Sequence, residues 1–146
     1  MIKLNKYINE AWSGIKQHTL KSDIKAWCDE MGIKRYTINA KGEIDVNWNV
    51  DLRYSDFEEL PYKFGKVMGY FSVMMCLNLK TLKNCPDYVD SYFSCSGCIN
   101  LNSLEGCPKE VKEEFYCYNK GKKQFNDKDI LKYCNVDPEK IISKTT

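Results

Sequence analysis

Val67 to Tyr88 can be laid over Val89 to Glu110 with 10 of the 22 positions identical, among them Tyr70/Tyr92, Phe71/Phe93, Cys76/Cys98, Asn78/Asn100, Leu79/Leu101, Leu82/Leu104, Cys85/Cys107 and Pro86/Pro108. An interval of this length is the signature of a repeat architecture, in which each unit leaves apolar faces that only its neighbours can cover. The register extends both ways. Val111, Phe115 and Cys117 repeat Val89, Phe93 and Cys95, while Phe57 and Leu60 lie one period before Leu79 and Leu82. A weaker coil begins at Val50-Asp51-Leu52, one residue out of step.

The unit reads Val-x-x-x-Phe-x-Cys, then Asn-x-Leu-x-x-Leu-x-x-Cys-Pro. This spacing resembles the leucine-rich repeat family, especially the short bacterial type in which a proline follows the last leucine of each turn. The resemblance covers residues 46–125 and implies that Phe71 and Val73, Phe93 and Cys95, and Phe115 and Cys117 are the inward pairs of a short parallel strand in each coil. The Phe-x-Cys strand and the late position of Asn78 and Asn100 depart from the family pattern. The expected fold is therefore α+β and leucine-rich-repeat-like: a short solenoid of about three to four coils with one small parallel sheet. One coil alone cannot offset the entropy of ordering its own backbone. Stacked coils bury both faces and satisfy the strand hydrogen bonds.

Each open end then needs a cap. Ser22 to Met31 reads as a helix with Ser22 as N-cap, an apolar stripe of Ile24, Trp27, Cys28 and Met31, and Gly32 as stop, placed to cover the first coil. Tyr36 to Ile38 and Ile44 to Val46 alternate at period two around Ala40-Lys41-Gly42, a hairpin leading into the first strand. After the repeats, Asn126 or Asp127 can cap a second helix with Ile130, Leu131, Tyr133 and Cys134 on its buried side. Residues after Pro138 read as a frayed tail. The divisions are 1–21, an N-terminal amphipathic segment; 22–46, helix and hairpin cap; 47–125, the solenoid; and 126–146, helix cap and tail.

Eight cysteines invite a disulfide or zinc reading, and Cys95-Ser96-Gly97-Cys98 supplies a CxxC pair. The period accounts for most of them: Cys76/Cys98, Cys85/Cys107 and Cys95/Cys117 are repeat-equivalent, as expected of a small buried hydrophobe filling a ladder position. A closed zinc site wants four converging ligands, and the sequence has no second CxxC or CxxH element. The alternative that stays open is a zinc-stabilised structural or nucleic-acid-binding module using Cys95 and Cys98.

Nothing in the sequence assembles a catalyst. The single histidine, His18, lies in a polar stretch outside the repeats. A ladder cysteine would have no base beside it, and no phosphate-cradling glycine loop, nucleophile elbow or helical histidine pair is present. The chain is read as a non-enzyme without a cofactor. Its net charge of +2, from 22 basic and 20 acidic side chains, gives no global field for nucleic acid. Between Glu43 and Glu59, six acids face Arg53 alone, the wrong sign for phosphate. No window is apolar enough to span a bilayer and no secretory signal opens the chain, so a cytoplasmic protein with no membrane partner is expected.

Tyrosine, at ten residues, is the outlier. Alternation along a strand turns Tyr70, Ser72 and Met74 outward where Phe71 and Val73 point in. The same rule exposes Tyr92, Ser94 and Ser96 on the next coil, and Glu114, Tyr116 and Tyr118 on the one after. Tyrosine and methionine offer large contact area with few rotors and are enriched in interface cores. Tyr70, Ser72, Met74, Tyr92, Ser94, Tyr116 and Tyr118 are therefore the candidate partner-binding residues, for a protein partner. The face lacks the interleaved Lys or Arg that a nucleic-acid reader would use.

Residues 4, 7, 8, 11 and 12 place apolar side chains on one side of a short helix. This segment resembles the N-terminal capsid-targeting peptides of internal head proteins of large tailed phages, whose apolar-x-Glu cleavage motif precedes Ala; Ile8-Asn9-Glu10-Ala11 fits it. The repeat unit is also similar to those of repeat proteins from such phages. The resemblance implies a phage accessory protein that binds a host factor in takeover or counter-defence, cytoplasmic or packaged in the virion.

Overall fold

The computed structural model describes residues 2–121 and 123–144, with side chains from residue 6 onward. The apolar position Leu4 of the N-terminal segment lies outside the described side chains. The chain divides into two compact units, one ending at Gly32 and one starting at Ile33.

The first unit is a single helix, α1 (Ile2–Glu30), of 29 residues. The sequence suggested two helical stretches with Ser22 capping the second, whereas Ser22 lies inside α1. The polar residues between them do not interrupt it. Ser13 Oγ donates to the Glu10 carbonyl at 2.9 Å and Thr19 Oγ1 to that of Ile15 at 3.0 Å, bonding back into the helix instead of ending it. Gly32, at φ +71°, follows the last turn, where a left-handed residue is the usual stop. Among the described residues no helix is long and apolar enough to cross a membrane.

The second unit is a small β-solenoid of about four turns. It begins with the expected hairpin, β1 (Tyr36–Ile38) antiparallel to β2 (Ile44–Val46). Then follow β3 (Val50–Asp51), β4 (Phe64–Val67), β5 (Phe71–Ser72), β6 (Tyr88–Val89), β7 (Phe93–Ser94), β8 (Glu110–Val111) and β9 (Phe115–Tyr116). After them come α2 (Asp127–Leu131), a 3-10 turn (Pro138–Lys140) and β10 (Ile141–Ile142).

Two parallel sheets form where one was expected. The first runs β1-β2-β4-β6-β8 and the second β10-β9-β7-β5-β3. The valine that opens each repeat belongs to the first sheet and the phenylalanine four residues on to the second, because the chain turns a corner between them. Val67 pairs with Val89 and Val89 with Val111; Phe71 pairs with Phe93 and Phe93 with Phe115. The hairpin is not a separate cap: β2 pairs in parallel with β4 and is a rung of the solenoid.

The core is a set of columns running through the coils. The rings of Phe71 and Phe93 stack with centroids 6.2 Å apart, and that of Phe115 lies tilted by 57° against Phe93 at 5.0 Å. Leu79, Leu82, Cys76 and Cys85 and their equivalents Leu101, Leu104, Cys98 and Cys107 are all buried on the side of the coil that has no strand. Polar side chains tie each coil to the one before: Asn78 Nδ2 donates to the Asp56 carbonyl at 3.2 Å and Asn100 Nδ2 to that of Leu77 at 2.7 Å.

The C-terminal segment differs from expectation in detail. Asn126 caps α2, accepting from the Asp129 amide at 3.0 Å while Asp129 Oδ2 accepts from the Asn126 amide at 2.9 Å. Ile130 and Cys134 are buried, but Leu131 is exposed and Tyr133 half-exposed, because a helix of five residues has room for one inward row only. Among the described residues beyond Pro138, Ile141 and Ile142 are not a frayed tail: Ile141 pairs with Phe115 and Ile142 with Tyr116, adding a parallel strand to the second sheet.

Candidate functional site: the outer face of the second sheet

Pairing in the second sheet fixes which side chains share an outward column. Asp51 aligns with Ser72, Ser72 with Ser94, and Ser94 with Tyr116. Two residues earlier on each rung stand Tyr70, Tyr92 and Glu114; two residues later stand Arg53, Met74, Ser96 and Tyr118. The Tyr70 and Tyr92 rings stack at 4.7 Å, and Tyr116 meets Tyr92 edge-on at 5.6 Å.

Ser72 and Ser94 were expected to be exposed and are not, at 1% and 4%. They occupy the outward positions, but a serine is too short to rise between taller neighbours. Together with Arg53, Met74, Tyr92, Ser96 and Tyr116 they line a groove of about 320 Å³, the serines forming its floor. Because Asp51 and Tyr116 hold the same column at either end, the serine floor is two rungs long, about 10 Å at ordinary strand spacing. The serine hydroxyls accept from backbone amides two residues on, Met74 and Ser96, each at 3.4 Å. Ser96 Oγ accepts from the Tyr118 amide at 3.0 Å.

Of the predicted residues, Ser72, Met74, Tyr92, Ser94 and Tyr116 thus come together in one groove. Tyr70 stands behind Tyr92. Tyr118 lines a neighbouring hollow of about 440 Å³ with Tyr54, Met74, Met75, Ser96, Gly97 and Lys120. That hollow is shaped by one turn used three times. Tyr54, Met75 and Gly97 have φ of 63°, 58° and 74°, and their amides donate to the carbonyls of Met74, Ser96 and Tyr118 at 3.1, 2.8 and 2.8 Å.

Arg53 is the groove residue that sequence reasoning missed. Its Nε and Nη2 donate to the two carboxylate oxygens of Asp51 at 2.8 and 2.7 Å. This forked contact holds the Asp51 carboxyl below the ordinary carboxylate value and the guanidinium above its own. The signal was available: with Val50 aligned on Phe71, Arg53 falls on Met74. Burial, and then Tyr70, push the Tyr92 hydroxyl up, so it stays protonated and can donate at neutral pH.

The arrangement offers aromatic faces, a thioether, hydroxyls and one forked ion pair. Every cysteine is buried, and desolvation pushes the thiols of Cys76 and Cys98 to about 11 and about 12. Cys98 Sγ donates to the Val73 carbonyl at 3.1 Å, while the free Cys95 thiol neighbours that of Cys117, so the two thiols of the CxxC pair are directed to different partners. Among the described residues no three His, Cys, Asp or Glu side chains group as a metal ion would require. Set against protein-family models, curated proteins and solved structures, the chain matches none. Coil pairing and column register define its class: a small parallel β-solenoid bearing a tyrosine-and-serine groove on one sheet.

Proposed function

We propose that the chain is a non-catalytic protein-binding module whose contact face is the outer surface of the second sheet. The observation that supports this most is the groove itself: Tyr92, Tyr116 and Met74 wall a floor of buried serines, a shape that admits one large side chain of a partner between rigid aromatic rings. Anchors of this kind carry most of the energy of protein interfaces. The stacked Tyr70 supports Tyr92 from behind, so the wall loses little rotamer entropy on binding.

We assign the repeat a leucine-rich-repeat-like character, on the strength of the Asn-x-Leu-x-x-Leu-x-x-Cys-Pro unit, with the α2 segment closing the last coil. Buried Ile130 and Cys134 and the pairing of Glu110 with Asn135 support that closing role. The repeat and Ile8-Asn9-Glu10-Ala11 further support a phage accessory protein, with a host regulatory or defence protein as partner.

The test is capture from host lysate by wild type and by a Tyr92→Ala/Tyr116→Ala variant, with the retained proteins identified by mass spectrometry. The variant should keep its melting transition and lose the specific partner. Equal capture by both proteins means the face is wrongly assigned. The mass of the mature chain from assembled particles reads the second part: cleavage after Glu10 supports packaging, and an intact N-terminus opposes it.

A further inference from the structure

The floor of the groove on the second sheet carries hydrogen-bond donors that the protein itself does not use. Ser72 and Ser94 are 1% and 4% exposed, and each Oγ accepts from the amide two residues on, at 3.4 Å. Neither hydroxyl donates to an acceptor among the described residues, and nor does that of Ser96, whose Oγ accepts from the Tyr118 amide. All three line the groove, so whatever enters it meets their O–H groups. A hydroxyl shaded in this way gains more from a partner than one in open water. Arg53 adds to the same set. Its fork onto Asp51 uses Nε and Nη2, and among the described residues the N–H groups of Nη1 have no acceptor. Arg53 lines the groove and Asp51 does not, so the pair, neutral as a whole, presents its donor end there.

This set of donors selects an occupant that carries acceptors alone. Lysine and arginine side chains bring only donors, and a glutamine amide brings one oxygen together with an NH2 group. A carboxylate brings two oxygens with about four lone-pair sites and no donor. Ser72 and Ser94 are paired across neighbouring rungs, about 4.8 Å apart. Two oxygens of one carboxylate meet hydroxyls at that spacing with contacts of about 2.7 Å each. Reach separates the two acidic side chains. The serines lie below Tyr92, Tyr116 and Met74, and the extra methylene of glutamate lets its carboxylate descend to them while the stem lies along the rings and the thioether. We propose that the groove takes a glutamate side chain of the partner, its carboxylate held by the hydroxyls of Ser72 and Ser94 and by Nη1 of Arg53. The assignment rests on reading the outer surface of the second sheet as the contact face, and it narrows the partner to a protein with an exposed acidic segment.

The experiment immobilises the full chain and passes over it a pool of random octapeptides, acetylated at one end and amidated at the other, with the retained peptides sequenced by mass spectrometry. Glutamate should be enriched about tenfold or more over glutamine at one position. A Ser72→Ala/Ser94→Ala variant should lose that preference. Arg53→Gln, a change at an exposed side chain that the fold does not depend on, should weaken it and serves as the reading if the serine variant melts early. Tyr92→Ala/Tyr116→Ala is run beside them to separate this assignment from the one it rests on. Retention that needs the two tyrosines but favours glutamine, lysine or an apolar residue overturns the glutamate assignment and leaves the contact face standing. Retention that the tyrosine variant matches overturns both. Absence of retention by the wild type overturns the glutamate assignment, and retention only from a second pool with free C-terminal carboxylates gives the groove to a chain terminus instead.

Discussion

Cys98 donates its thiol to the carbonyl of Val73 at 3.1 Å, and one coil earlier Cys76 makes the same bond to Leu52 at the same distance. The repeat thus uses cysteine as a small apolar filler that also reaches the backbone of the preceding coil. Desolvation lifts the Cys98 thiol from 9.0 to about 12 and the Cys76 thiol to about 11. The native protein should therefore resist an aromatic disulfide reagent below pH 9, and all eight thiols should react once urea unfolds it. Absorbance of the released thiolate checks this; fast labelling of one or more native thiols would refute it.

Phe93 sits between Phe71 and Phe115 and is fully buried. Phe93→Ala opens a cavity that both neighbouring coils line, and its cost should be about 3–5 kcal/mol. Urea denaturation with tryptophan fluorescence measures it. A loss below about 1 kcal/mol would mean that the column does not hold the coils together.

Gly106 has φ +88°, and a Cβ placed there would stand 2.8 Å from Leu82 C, Leu82 O and Lys83 N of the preceding coil. Backbone at that distance cannot swing aside. Gly106→Ala combines a left-handed conformation with this overlap and should cost at least about 2 kcal/mol. Gly42 also has a positive φ, but open space surrounds its Cβ direction, so Gly42→Ala should cost about 1 kcal/mol. Comparing the two melting midpoints separates conformational strain from crowding.

The Asp51 carboxyl is held below its ordinary value of 3.8 by Arg53. A depressed folded value means a contribution that is fully present above the unfolded value and lost as pH falls through the folded one. Stability should therefore lose a component below pH 3.8, and Asp51→Asn should remove that component. Both side chains are well exposed, Arg53 at 43% and Asp51 at 38%, so solvent screening keeps the effect small, smaller still at high salt. Acid titration of the melting midpoint for the two proteins is the measurement.

The phenylalanine column and the hairpin were legible because identity at a fixed interval, and alternation around a glycine turn, are written in single residues. The first sheet was not, because its strands β6 and β8 are two residues long and the corner at Gly69-Tyr70 has no punctuation in the next repeat, where Ser91-Tyr92 stands. Burial of Ser72 and Ser94 was hidden for a different reason. Alternation gives the side of a sheet, but shading comes from taller residues on adjoining rungs, and those depend on register. Arg53 was obscured by the one-residue slip in the first coil, where Val50 pairs with Phe71. Ile141-Ile142 falls outside the period, and α1 runs through Ser22, which reads as the start of a helix.

The closing strand β10 has a bearing on how the molecule is made. Its partner β9 leaves the ribosome well before Ile141 and Ile142 do, and until they arrive the amide of Cys117 lacks the Ile142 carbonyl that it meets at 2.9 Å in the finished protein. A stalled or clipped product ending near Asp137 would carry an unpaired edge of the tyrosine-bearing sheet, the sort of template onto which other chains add. Completion of the tyrosine-bearing sheet thus waits on Ile141 and Ile142.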